Sequence, residues 1–203
     1  KRDINMATSY PTYAEFQDYC ATYNYGSPSD EEATRIMAAA VKEWDKIVGV
    51  RHFLVTEDSE LSIHPQQILA DHRGWIWDLI EPLAELPTSI YSGATTTSAG
   101  TLFTINGQYR FEGYAPYTQI VFIQKPLDIL KITGKWGYCT SFEADVTDAV
   151  LTLGAARLIQ QEQGKAGNTL EERTGLVAVK FDASAVASLR AYAMTIAANY
   201  SLP

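Results

Sequence analysis

Between Ala33 and Val48 apolar residues recur three and four positions apart, and directly after Gly49 that period disappears. Ala33, Ile36, Met37, Ala40, Val41, Trp44, Ile47 and Val48 therefore share one side of a helix. Ser29 and Glu32 have the spacing of a capping box, and Asp30, Glu31 and Glu32 complement the positive end of the helix dipole. Gly49 stands where a left-handed C-terminal cap is expected. A chain that leaves so well-marked a helix for a stretch of different period must combine helical and extended layers.

A second capping box, Thr12 with Glu15, opens a helix upstream that carries Tyr13, Phe16, Tyr19 and Cys20 on one side and ends at Asn24 to Pro28. From Val50 to about Ile132 the pattern is one of short extended runs. Trp75-Ile76-Trp77 alternates, and Pro82 and Pro87 are expected to break the chain. Asn106-Gly107 lies between two alternating runs and predicts a two-residue hairpin pairing Ile105 with Gln108, Thr104 with Tyr109, Phe103 with Arg110 and Leu102 with Phe111. That hairpin has Leu102, Tyr109 and Phe111 on one face and Phe103 and Ile105 on the other. Both faces then need a cover, from the chain's own second layer or from a neighbouring subunit. Ile120 to Ile123 is apolar on both faces and reads as a central strand.

Gly134-Lys135-Trp136-Gly137-Tyr138 predicts an aromatic-rich turn, after which helical character returns. Val146, Ala149, Val150, Leu153 and Arg157, widened by Leu151, Leu158 and Ile159, give a helix apolar around much of its girth, hence a central one. Gln160 to Asn168 reads as a polar break, Leu176 to Phe181 as a short strand, and Asp182 as the cap of a last helix reaching Tyr200. The expected fold class is α+β: a small bundle of two N-terminal and two C-terminal helices with a β-hairpin-rich insertion. We expect one domain over residues 1–203, with a helical body in 1–58 and 128–203 and the insertion in 59–127. Repeats, low-complexity tracts and heptad runs are absent from the sequence.

The search for chemistry returns little. A formal charge of −8 disfavours a phosphate-binding surface, although an acidic wall suits DNA sliding past without sticking. Gly134-Lys135 lacks the earlier Gly and the following Ser or Thr of a phosphate-binding loop. His52, His64 and His72 lack metal-ligand spacing, and no Gly-x-Ser-x-Gly elbow surrounds any serine. Asp71-His72-Arg73 is explained by a solvated turn. Cys20 and Cys139 are expected to be buried thiols of a protein folded under reducing conditions. No run approaches the roughly 20 apolar residues of a membrane span, and no signal core is evident. No cofactor is expected. Glu143, Asp145 and Asp148 are expected to begin the third helix and complement its dipole. They also define the alternative reading, a small metal-dependent hydrolase or nuclease. A host-encoded protein-binding module with the same order of elements is a third reading.

Three stretches, taken in order, resemble the head-to-tail connector, or head completion, adaptor proteins of tailed bacteriophages. Lys42 to Gly49 running into Arg51-His52-Phe53 is similar to the family's helix followed by Gly, Arg and an aromatic. Ile132 to Tyr138 is similar to its short strand and Gly-x-Trp-Gly turn. Asp145 to Leu158 is similar to its alanine-rich helix ending in Ala-Arg-Leu. The chain departs from the family in having Ser141-Phe142-Glu143 where a Pro often precedes that helix, and in a long, poorly matched segment from Ser59 to Lys125.

The resemblance implies a structural virion protein without enzymatic activity. Such a protein forms a homo-oligomeric ring, commonly of twelve copies, at the head-tail junction between the portal protein and a tail or nozzle protein, around passing genomic DNA that it does not read. Twelve Tyr and four Trp supply rings suited to such interfaces. The expected contact residues are Phe103, Ile105, Tyr109, Phe111, Trp136, Tyr138, Tyr192, Tyr200 and Leu202. In this reading the helices form the ring body, the β-rich insertion meets a neighbour or the tail, and Tyr192 to Pro203 reaches toward the portal.

Overall fold

The computed structural model describes residues 6–93, 100–167 and 183–200. In chain order these form β1 (Met6–Ala7), α1 (Tyr13–Tyr23), α2 (Asp30–Val48), β2 (Ser59–Ile63), β3 (Leu69–Asp71), β4 (Gly74–Leu83), β5 (Ser89–Ser92) and β6 (Thr101–Leu102). There follow β7 (Tyr109–Phe111), β8 (Tyr117–Phe122), β9 (Leu130–Gly134), β10 (Phe142–Glu143), α3 (Ala144–Gly167) and α4 (Ala183–Ala197). The fold class is α+β, as the change of period predicts. Two compact units result, one of residues 1–49 with 142–203, the other of residues 50–141.

In the helical unit the caps form as the residue types demand. Thr12 accepts from the Glu15 backbone N–H at 3.3 Å, while the Thr12 N–H donates to Glu15 Oε2 at 2.7 Å. Ser29 accepts from the Glu32 N–H, and Gly49 closes α2 at φ 83°, a left-handed value with little cost only for glycine. Trp44, Ile36 and Phe16 are fully enclosed, and α3 carries the centre of the core through Val146, Val150, Leu153 and Leu158. A Cβ at Gly154 would stand 2.8 Å from the Phe16 ring and 3.2 Å from Met37 Sδ, so α1 and α2 approach α3 where it has no side chain.

Two expectations about α3 are corrected. Gln160 to Gly167 continues the helix instead of breaking it. Gln, Glu, Lys and Ala are good helix formers, and a single Gly costs only about 1 kcal/mol. Glu143 precedes the helix in a two-residue strand, paired antiparallel with Met6. The predicted strand Leu176 to Phe181 and the Asp182 cap lie outside the described residues.

The β unit consists of two four-stranded antiparallel sheets, ordered β2-β9-β5-β6 and β3-β4-β8-β7. Ile63, Ile90, Leu130 and Ile132 from the first sheet share a core with Trp77, Tyr109, Ile120 and Phe122 from the second. The strand read from Ile120 to Ile123 is central, flanked by β4 and β7. β3 and β4 form a hairpin whose turn is His72-Arg73, with Asp71 opposite Gly74.

The predicted hairpin around Asn106-Gly107 does not form. The turn exists, with Asn106 at φ 60° and its N–H donating to the Tyr109 carbonyl, but the strands on its two sides belong to different sheets. Leu102 pairs with Tyr91 of β5, and Phe111 pairs with Ile120 of β8. Two apolar faces explain the outcome: each strand finds a better partner in the sheet that lets its rings reach the shared core. Pro82 also departs from expectation by lying within β4. It sits within an irregularity in pairing between Asp78 and Leu83, where the missing N–H costs no ladder bond.

Candidate functional site

The expected contact residues separate into core and surface. Tyr109 and Trp136 are only 5% and 6% exposed and belong to the β-unit core. The Trp136 indole N–H donates to the Ser59 carbonyl at 3.1 Å, and its ring meets Trp77 edge-on. Neither offers surface to another molecule. Phe103 and Phe111 are half-buried against the same core, and Tyr138 stacks on Phe53 with centroids 5.0 Å apart. Tyr200 folds back on its own unit, donating to Asp145 Oδ1 at 3.0 Å beside Trp44. Ile105 and Tyr192 are exposed, at 44% and 47%, and Leu202 lies outside the described residues.

Tyr192 is part of a construction that the sequence reading did not assemble. Tyr19 and Tyr23 on α1, Tyr25 just beyond it, Asp148 and Thr152 on α3 and Tyr192 on α4 line a cavity of about 490 Å³. The rings of Tyr23 and Tyr25 stack at 5.9 Å, and Tyr19 packs on Tyr23 at 4.7 Å while its hydroxyl meets Thr152 Oγ1 at 3.1 Å. Partial burial, then the nearby Asp145 charge, pushes the Asp148 carboxyl above its ordinary value. Burial first, then Asp148 and Asp145, raises the Tyr192 phenol. Asp148 pairs with no cation among the described residues. Aromatic walls with one carboxylate form a receptor for a positively charged group. The signal in the sequence is the run of tyrosines at 19, 23 and 25, of which the apolar spacing places only Tyr19 on a helix face.

A second concavity of the helical unit is basic. Lys42 and Lys46 on α2, Arg157 on α3 and Arg190 on α4 surround Glu43 in an open groove of about 550 Å³. Glu43 engages both arginines, and Lys42 and Lys46 remain exposed, paired with no carboxylate among the described residues.

In the β unit, Phe103, Ile123 and Leu127 line a cavity of about 360 Å³. Ile123 is half exposed and Leu127 is 86% exposed. Tyr114 stands almost wholly in solvent.

The residues weighed for catalysis do not converge. Among the described residues no group of three or more His, Cys, Asp or Glu is placed to hold a metal ion. Asp145 Oδ1 accepts from the Val146 N–H and from Tyr200. His52, His64 and His72 are all exposed. Cys20 is buried as expected, but Cys139 is only half-buried, its Sγ–H directed at the Phe53 carbonyl. Desolvation pushes both thiols up to about 11, the opposite of an activated nucleophile. No helix among the described residues is long and apolar enough to cross a membrane.

No protein-family model matches the chain. No curated protein matches it either. Among solved structures, a chain of one described as "Virion of native gene transfer agent (GTA) particle" is similar at 16% identity and a TM-score of 0.47, covering 92% of this chain and 93% of that one.

Proposed function

We propose that this chain is a structural protein of a tailed virus particle, an adaptor that forms a ring, of twelve copies in the family it resembles, between portal and tail around the DNA channel. The resemblance of Lys42 to Phe53, Ile132 to Tyr138 and Asp145 to Leu158 supports the family. The observation that carries the assembly role is the mixed polar and apolar mouth of the β unit, where Gln108, Gln124, Lys125 and Asp128 rim exposed aliphatic side chains. There Ile123 and Leu127 stand in solvent beside the half-buried Phe103, an aliphatic pair ringed by polar residues of the kind that marks protein contact sites. The net charge of −8 suits a wall past which DNA moves without adhering. Many weak contacts made at once would hold such a ring in place, since simultaneous attachment multiplies affinity without a new kind of contact.

Negative-stain imaging of the purified chain, alone and mixed with a portal protein from the same virus, tests the reading. Rings seated on one end of the portal are expected, and removal of Asn199 to Pro203 should release them beyond any loss of folding, which thermal melts measure because Tyr200 bonds Asp145 of its own unit. A chain that stays monomeric and ignores the portal under all conditions would end the proposal.

A further inference from the structure

The tyrosine pocket and the basic groove occupy opposite sides of the same two helices. On α4, Tyr192 lies two residues from Arg190, about 200° around the helix, whereas Met194 follows Arg190 by four and shares its side. On α3, Asp148 and Arg157 are separated by about two and a half turns and again face apart. One side of the helical unit therefore presents tyrosines around a carboxylate, and the other presents ammonium and guanidinium groups.

We infer that a second copy of this chain seats the Lys42 and Lys46 side of its α2 in the tyrosine pocket, so that the helical units associate head to tail. The inference rests on the ring reading above and adds to it which surfaces meet. A contact that closes by rotation requires two different, complementary patches on every subunit. These two patches are different, lie back to back, and are opposite in charge. A symmetric dimer through either one would set like charge against like. The occupant's chemistry matches on both counts. Asp148 is an exposed carboxylate on the pocket wall that pairs with no cation among the described residues, and the faces of Tyr23 and Tyr192 can hold an ammonium group once it leaves water. Glu43 holds Arg157 and Arg190 in place, and the two lysines, exposed and paired with no carboxylate among the described residues, are available to a neighbour.

The test is a charge exchange read by native mass spectrometry and sedimentation of the full chain. Asp148→Lys alone, and Lys42→Glu with Lys46→Glu, should each weaken association about tenfold or more. Combining all three substitutions in one chain should restore it, and so should mixing the two defective variants in equal amounts. Tyr192→Ala, which leaves every charge in place, should weaken association by removing a wall. Thermal melts of each variant separate lost contact from lost folding. The inference is overturned if either charge variant assembles like the parent, or if the combined variant melts normally and remains as defective as its components. Parent rings that persist through every substitution would remove this interface and leave the ring itself standing. A parent chain that never associates, alone or on the portal, would remove both.

Discussion

Glu43 on α2 holds the Arg157 guanidinium of α3 at 2.7 Å. Arg190 of α4 reaches the other carboxylate oxygen at 3.3 Å, so one acid ties three helices together. Its side chain is well buried while the arginines are about one-third exposed. Glu43→Gln removes the charge but keeps the shape, and the arginines can still be solvated in part, which limits the loss. A destabilisation of about 2 kcal/mol is expected, below that of a wholly buried pair. Urea unfolding at neutral pH measures it, and the difference should shrink in high salt.

Gly154 is where α3 admits its neighbours. Alanine there gains about 1 kcal/mol of helix propensity, but its methyl meets the Phe16 ring inside a closed core, at an overpacking cost of about 1 to 3 kcal/mol. Gly154→Ala should lower stability by about 1 kcal/mol, and Gly154→Val by about 3 kcal/mol, in equilibrium unfolding. A variant more stable than the parent would show that the helices can move apart freely.

Trp136 separates a core role from a contact role. Buried against Trp77 and bonded to the Ser59 carbonyl, it should cost about 3 to 5 kcal/mol when replaced by alanine. The loss should appear in the melting of the chain before any assembly partner is added. Ile105→Ala, at an exposed position, should leave melting within about 0.5 kcal/mol of the parent.

Asp148 yields a pH signature. Its carboxyl titrates higher in the folded chain than in the unfolded one, because of burial and then of Asp145. Between the two values the folded state holds a proton that the unfolded state has released, so stability falls as pH rises through that window and the penalty persists above it. Asp148→Asn should therefore raise the melting temperature of the monomer at pH 7. The gain should fade as pH drops below about 4, the ordinary range of the carboxyl. A gain that is the same at pH 3 and pH 7 would mean that charge is not its source.

The helices were legible because their caps and apolar stripes are local: Thr12 with Glu15, Ser29 with Glu32 and the run from Ala33 to Val48 all do what their residue types require. The Asn106 turn was legible for the same reason. Its strands were mispaired because strand partnership is a competition over distance, and Phe111 has a better neighbour in Ile120 than in Leu102. The tyrosine pocket escaped for a related reason. Tyr23, Asp148 and Tyr192 come from three helices, and only the packing of α1 and α4 on α3 shows that they share one hollow. Trp136 illustrates the converse, since an aromatic residue in a glycine turn carries no local mark of whether it points inward.

Inside the β unit, the segment that enters from α2 and the segment that leaves toward α3 are fastened to each other. The Val55 N–H donates to the Cys139 carbonyl at 2.9 Å, the Tyr138 N–H to the His52 carbonyl at 3.1 Å, and Leu54 bridges Cys139. A stretch whose two ends are clasped in this way behaves as a cassette. Its strands can be lengthened, trimmed or exchanged for another design without rethreading the helices, because both crossings of the chain are held by the same short clasp.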